Sequence, residues 1–208
     1  MKTSIKSIIA LAVTAVVLTG STLNVNASEP KTTTVLTSVK KVNKIDVAGN
    51  VELILVQSSD ESVKVLHNYF ANNALVQQKD GELRISSFTK EKLTVVAYVN
   101  SLTEISASGN ATVKTAGKFS TLSLNVNLSD NAKADLYTNT ISLNTNLGNT
   151  SSLKLSGSTE EYNARMGNFS NVSLAKFVAA SSNIQSKSIV VAQVAKTILP
   201  NEADFLSL

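Results

Sequence analysis

Few residues of this sequence could do chemistry. There is no cysteine, and the single histidine, His67, stands just before two aromatic residues, Tyr69 and Phe70. One histidine cannot form a two-histidine metal site, and a chain without cysteine has neither a thiol nucleophile nor a thiolate ligand. We therefore predict no catalytic residue, no metal ligand and no cofactor. His67, Tyr69 and Phe70 are the candidate binding residues, although the same cluster could instead cap one end of the fold.

Serine and acidic residues offer the enzyme alternatives. Residues 106–109 have the small residues of a nucleophile elbow, but they lack the strand-to-helix context and an obvious partner base. A glycosidase on a β-helix would need two carboxylates on one face, and Asp130 with Asp135 or Glu104 is the candidate pair. Asp130 also fits a turn. We expect no enzyme activity, and a carbohydrate-active enzyme is the alternative function.

Aromatic residues would discriminate between these functions. An exposed aromatic strip would favour sugar binding without catalysis, whereas a cleft holding two carboxylates about 5 to 10 Å apart would favour hydrolysis. The residues that could form the strip are Tyr98, Tyr137, Tyr162 and Phe169. A structural spacer without a ligand is a third alternative.

The strongest pattern in the chain is an internal repeat. The segment TLSLNVNL at 121–128 returns nineteen residues later as TISLNTNL at 140–147. Turn signals recur at intervals of 18 to 21 residues, at Gly109, Asp130, Gly148 and Gly167. Because Gly, Asn and Asp tolerate left-handed backbone, this spacing lets the chain turn in the same sense in each repeat. We predict an all-β fold, a right-handed parallel β-helix or β-solenoid-like domain of short strands with about 20 residues per repeat.

The repeat also predicts which side chains stack, about 4.8 Å apart. The pairs expected to point inward are Leu124 over Leu143, Leu122 over Ile141 and Leu128 over Leu147. The pairs that share the same register on polar positions are Asn125 with Asn144 and Asn127 with Asn146. We expect at least one of these asparagine pairs to form a hydrogen-bonded amide ladder, with simple exposure as the alternative.

The first half of the mature chain shows alternation rather than the repeat. Apolar residues occupy every second position from Lys44 onward, and Asp80-Gly81 predicts a tight hairpin between two such segments. We divide the chain into a signal peptide at 1–27, a linker and first strand at 28–43, the solenoid at 44–195, and a C-terminal tail at 196–208. We also expect the first half to cover the N-terminal end of the coil, because an open end would invite aggregation.

The first 27 residues have the features of a secretory signal. Two lysines precede an apolar run, and a small-residue site follows before Ser28; the run is too short to span a membrane. Ser21 stands where a bacterial lipoprotein would carry its acylated cysteine. We therefore expect a soluble, unlipidated product that begins near Ser28, with no stable membrane insertion, in the periplasm or on the surface of a Gram-negative bacterium.

Charge limits the choice of partners. The formal net charge of the full chain is +4, and the two lysines of the signal segment account for half of it. The remaining excess is small and dispersed, so it predicts no nucleic-acid partner. We expect an unknown surface glycan or protein as the partner of a non-enzymatic binding module, and self-association is left open.

Three blocks of sequence carry a family resemblance. Residues 44–57, 81–86 and 102–111, read in this order, resemble successive blocks of the auto-transporter adhesin head domain called the GIN domain, which is common in Bacteroidetes. The resemblance covers roughly residues 40 to 190. It implies an extracytoplasmic, all-β, solenoid-like domain of adhesin type and implies no catalytic residues. The C-terminal end departs from the glycine-rich close of many relatives.

Overall fold

The computed structural model describes residues 33–36, 41–66, 74–87 and 89–187. These residues form strands and turns, without a helix. The strands are β1 (Thr33–Leu36), β2 (Lys44–Gly49), β3 (Val51–Gln57), β4 (Ser62–Leu66), β5 (Ala74–Lys79), β6 (Glu82–Ser87), β7 (Leu93–Val99), β8 (Glu104–Ser108), β9 (Thr112–Thr115), β10 (Phe119–Leu128), β11 (Lys133–Leu147), β12 (Ser152–Met166) and β13 (Asn171–Ser186). The prediction of an all-β chain is confirmed.

All of these strands belong to one sheet. Its order is β1-β4-β7-β3-β9-β11-β10-β8-β2-β6-β5, with β12 paired to β11 and β13 paired to β12. β11 pairs with two strands along its length: residues 133–135 pair with β9, and residues 138–147 pair with β10. Buried side chains from both parts of the sheet, such as Leu53 and Ile45, join one hydrophobic cluster. The sheet therefore curls around a single core.

The sheet is mixed, and the predicted parallel β-helix is not confirmed for this reason. β1 with β4, β4 with β7, and β5 with β6 are antiparallel, whereas the other pairs are parallel. The expected hairpin explains one antiparallel pair: Asp80 and Gly81 have φ of 50° and 81° and join β5 to β6. Such values suit the tight turn of a two-residue hairpin.

The strands of the second half keep the register that the repeat predicts. Leu124 pairs with Leu143 and Leu128 with Leu147, and all four side chains are buried. The same parallel offset of nineteen residues relates β11 to β12, for example Lys133 to Ser152. Each turn of the chain thus places equivalent residues side by side in adjacent strands. We call such a row of equivalent residues a column.

The prediction that Leu122 and Ile141 point inward is wrong. Their side chains are 74% and 49% exposed. Along β11 the buried positions are two residues apart up to Thr140, but the next one, Leu143, comes three residues later. The strand bends at this point, and the extra residue reverses which side chains face the core. The alternation assumed from the sequence therefore fails at the bend.

The predicted turn signals stack on one another. The amide of Asn131 donates to the carbonyl of Gly109, and the amide of Gly148 donates to that of Leu128. Asp130 and Asn149 have φ of 56° and 51°, in the left-handed region that aspartate and asparagine tolerate. These turns hold successive strands in register. None of the described residues forms a helix of the length and apolar character that crossing a membrane requires.

Candidate functional site

The residues that the sequence proposed as a binding site lie outside the described part of the chain. His67, Tyr69 and Phe70 belong to 67–73, between β4 and β5. Their role as contact or capping residues stays a prediction. The site described below rests on other residues.

The proposed pair of carboxylates does not form a cleft. Glu104 lies 3.2 Å from the Nζ of Lys44, and Asp135 lies 2.8 Å from the Nζ of Lys154. The Oδ2 of Asp130 accepts a hydrogen bond from the amide of Gly109 at 3.1 Å, and its Oδ1 accepts one from the side chain of Asn149 at 2.9 Å. Each carboxylate is thus engaged by a different partner. No group of three acidic or histidine side chains that could hold a metal occurs among the described residues.

The four aromatic residues do not form the exposed strip. Tyr162 is fully buried, packs edge-on against Phe177 with ring centroids 5.5 Å apart, and shares a hydrogen bond of 3.1 Å with Thr145. Burial raises the pKa of Tyr162. Tyr98 instead lies under the Nζ of Lys64, 4.9 Å from its ring centre. The sugar-binding strip expected from the sequence is therefore absent as a unit.

One outward surface carries a column of asparagines. The Nδ2 of Asn144 donates to the Oδ1 of Asn125 at 3.1 Å, and the Nδ2 of Asn163 donates to the Oδ1 of Asn144 at 3.2 Å. All three side chains are half-buried on parallel neighbouring strands. The expected amide ladder is confirmed, and it extends one strand further than the sequence pair indicated. We call this surface the amide face, which comprises Lys44, Asp46, Glu82, Arg84, Glu104, Asn125, Asn127, Ser142, Asn144, Asn146 and Asn163.

A second column of asparagines runs beside the ladder. Asn127 pairs with Asn146 in register, two residues further along the same strands. The Nδ2 of Asn127 donates to the Oε1 of Glu104 at 3.5 Å, so this column is not held by the amide-to-amide bond that joins Asn125 to Asn144. The amide face therefore presents two parallel rows of neutral amides.

Charged residues occupy the end of the amide face formed by β6, β2 and β8. Arg84 donates to the Oε2 of Glu82 at 2.9 Å, and this hydrogen bond lowers the pKa of Glu82. Burial raises the pKa of Asp46, and the neighbouring charges of Glu82 and Glu104 raise it further. A depression of about 180 Å³ lies beside this end and is lined by Gln77, Lys79, Asp80, Glu82 and Arg84. The sequence analysis missed this group, although Lys44/Asp46 and Glu82/Arg84 show the same spacing of opposite charges.

The other outward surface has a different chemistry. Lys114 contacts Glu52 at 2.7 Å, and the hydrogen bond between them lowers the pKa of Glu52 and raises the pKa of Lys114. Lys154 contacts Asp135 in the same way on neighbouring strands. We call this surface the lysine face, which comprises Glu52, Lys64, Lys114, Lys133, Asp135 and Lys154. Lysines outnumber acids here, so the lysine face is basic.

The two faces define what the described surface can do. The asparagine rows of the amide face offer fixed hydrogen-bond donors and acceptors without net attraction for a strongly charged ligand. The lysine face offers mobile, solvated charges, most of which are already paired. Neither surface has the convergent acid and base that general acid–base catalysis needs.

Comparison with known families and structures agrees with the resemblance noted in the sequence. The model of the family described as "Putative auto-transporter adhesin, head GIN domain" matches residues 41–197. This match covers most of the chain. A comparison with curated proteins found no match.

Three solved structures with a similar fold come from Parabacteroides. A "putative adhesin" from Parabacteroides merdae is 17% identical with a TM-score of 0.56, covering 75% of this chain and 77% of its own. A "putative lipid binding protein" from Parabacteroides distasonis is 10% identical with a TM-score of 0.58, covering 75% and 78%. A "putative adhesin" from the same organism is 15% identical with a TM-score of 0.52, covering 76% and 79%. At these identities the likeness concerns the fold alone.

Proposed function

Because this chain belongs to the auto-transporter adhesin head GIN domain family, we propose that it is a non-enzymatic, extracytoplasmic binding module of adhesin type. The observation that carries the proposal is the amide face, where each ladder amide is held by its neighbour at 3.1 to 3.2 Å. Side chains that are already ordered lose less conformational entropy when a ligand binds. A glycan or a protein on a cell surface is the proposed partner.

The alternative of a carbohydrate-active enzyme has less support. Glycoside hydrolysis needs two carboxyl groups that converge on one bond. The candidates Glu104, Asp130 and Asp135 are each held by a different cation or turn amide. A structural spacer, the other alternative, would not need rows of outward amides, because solvated lysine and glutamate serve solubility equally well.

We further propose a solenoid-like coil for the second half of the chain. The support is the parallel pairing from β10 to β13, with offsets of nineteen residues that change to twenty beyond a register shift between β12 and β13. The antiparallel strands belong to the first half, and they make the fold as a whole a mixed sheet. In this proposal the coil is the element that carries the contact surface.

The proposed location follows from the first 27 residues. We propose that they act as an export signal and are removed near Ser28, which leaves an unlipidated product. Cell fractionation and the intact mass of the exported protein test this. A product that keeps residues 1–27, or that carries acyl chains, would contradict it.

Capture by the exported protein tests the function. Beads coated with the protein should retain a surface glycan or surface protein saturably from whole cells and from glycan arrays, and the retained polymer should stay uncleaved. Release of shortened polymer would establish the enzyme alternative. Failure to retain cells, glycans and surface proteins would favour the spacer.

A further inference from the structure

We propose that the amide face binds a neutral, linear, polyhydroxylated polymer, and that the polymer lies along the asparagine ladder, across the strands. This inference rests on the proposed binding function and names its ligand class and site. The ladder of Asn125, Asn144 and Asn163 and the outward residues beside it form the site.

The ladder leaves hydrogen-bonding groups for a ligand. An asparagine amide has two N–H donors and an oxygen with two lone pairs. Asn144 donates once to Asn125 and accepts once from Asn163. One N–H and one lone pair of Asn144 therefore remain, and the ladder holds the plane of the amide in place. A hydroxyl group both donates and accepts, so it can satisfy both.

The charge of this part of the face excludes other ligand classes. Between the charged end at Glu104 and the strand β12, the side chains that β10 and β11 contribute to this side of the sheet are neutral. They are Ser123, Asn125, Asn127, Ser142, Asn144 and Asn146. On β12 the residues beside Ser142 and Asn146 are Glu161 and Arg165, so a phosphorylated or carboxylated polymer would meet a single cation at this edge with an acid close to it. Most of its charges would be desolvated without a compensating pair, which costs free energy. An anionic polymer would fit the lysine face better.

The geometry favours a polymer over a small molecule. Parallel strands repeat about every 4.8 Å, so the three ladder amides span about 10 Å. The Nδ2 of Asn163 also donates to the Oε1 of Glu161 at 3.0 Å, so this amide offers a ligand its oxygen rather than an N–H. The outward side chains of the two asparagine rows are half-buried or exposed on the sheet surface, so a ligand that lies on them is contacted along its length. A chain with repeated hydroxyls can make the same contact at each step, and linked contacts raise the overall affinity above that of one unit.

The test uses a length series of neutral β-linked gluco-oligosaccharides, from disaccharide to hexasaccharide, with polygalacturonate as an anionic probe. Ser142→Arg places a bulky side chain on the amide face without removing a ladder residue. Ser152→Arg places the same side chain on the strand surface beside Lys133, and serves as the matched control. Affinity is measured by isothermal titration and by affinity electrophoresis.

We expect affinity for the neutral series to rise with length and to fall about tenfold in Ser142→Arg, the equivalent of about 1.4 kcal/mol, while Ser152→Arg binds like the wild type. If Ser142→Arg melts at a lower temperature, the exposed Asn146→Ala replaces it, with the same expectation. Neutral oligosaccharides that fail to bind, bind equally in both variants, or bind without a length dependence would overturn this inference. So would polygalacturonate binding that depends on Ser142.

The outcomes separate this inference from the proposed function. Bead capture of cells or of a surface protein that persists while the neutral series fails would leave the adhesin function standing and overturn only the ligand class. Loss of all capture would remove both.

Discussion

The amide face and the lysine face rest on the same core but are stabilised differently. On the amide face neutral side chains bond to their neighbours across the strands, as Asn144 does to Asn125 and Asn163. On the lysine face opposite charges alternate, as in Lys114 with Glu52 and Lys154 with Asp135. One backbone pattern therefore supports two surface chemistries. Short-range amide bonds make the asparagine rows of the first face insensitive to salt, whereas ion pairs make the second face responsive to salt and pH.

Substitutions of core residues should lower the free energy of unfolding by the same amount beneath either face, and this is the largest effect we expect. Leu143 lies beneath the amide face and Leu136 in the part of β11 that pairs across the lysine face; both are fully buried. Leu143→Asp and Leu136→Asp should each cost about 4 kcal/mol, because each buries an unpaired charge. Urea denaturation measures the loss.

The exposed bend provides the control for these substitutions. Leu122→Asp and Asn139→Asp should each change the stability by no more than about 0.5 kcal/mol, as is usual for surface positions. Urea midpoints for Leu143→Asp close to those for Leu122→Asp would show that the inward register described here is wrong.

Breaking the ladder should cost more than breaking an ion pair. Asn144→Ala removes two side-chain hydrogen bonds and leaves their partners half-buried, so we expect a loss of about 1 kcal/mol. Asp135→Ala removes an exposed pair and should cost less than about 0.5 kcal/mol. Repeating the urea curves in 1 M NaCl should abolish the second loss and leave the first. Equal salt dependence of the two losses would remove the distinction between the faces.

The lysine face should lose stability in acid through Glu52. Because its bond to Lys114 lowers the pKa of Glu52 in the folded chain, this interaction stabilises the fold above the unfolded pKa and is lost as the pH falls. Glu52→Gln should lower stability by a few tenths of a kcal/mol at pH 7. The difference from the wild type should shrink as the pH falls through the lowered pKa of Glu52, because the carboxyl is then protonated in both the folded and the unfolded chain. Thermal melts across this range measure it, and a difference that grows in acid would contradict the expectation.

On the amide face, the pH dependence of stability that arises from Asp46 should have the opposite sign to that from Glu52, and it should be similarly small. Burial raises the pKa of Asp46 in the folded chain, so ionisation costs the fold stability as the pH rises. Asp46→Asn should therefore be more stable than the wild type at pH 7, within about 0.5 kcal/mol, and equal to it in acid. The same melts measure this, with Glu52→Gln as the comparison. A variant that is less stable at pH 7 would argue that the Asp46 charge has a stabilising partner.

The repeat made the second half of the fold predictable. A nineteen-residue offset sets the pairing of Leu124 with Leu143 and of Asn125 with Asn144, because strands that repeat in sequence repeat in register. It could not reveal the bend. Leu122 and Ile141 look like core residues in the sequence, and only the step of three between Thr140 and Leu143 places them outside.

The first half shows what a sequence without a repeat leaves open. The Asp80-Gly81 hairpin was predictable, because two adjacent residues determine it. The neighbours of β2 were not predictable from the sequence. β2 pairs with β6 on one side and with β8 on the other, and this pairing depends on which strand edges meet in space. The same pairings bring Asp46 beside Glu82 and Glu104. Because the pairings could not be predicted from the sequence, this charged group could not be predicted either.

The nineteen-residue register from β10 to β12 also constrains how such a chain can change its length. Removing or duplicating one whole repeat would leave each inward residue inward and keep the asparagine rows continuous. Removing a single residue within a strand would turn every following side chain to the opposite surface until the next turn. Related genes should therefore differ by multiples of one repeat, and their contact surface should lengthen or shorten in the same steps.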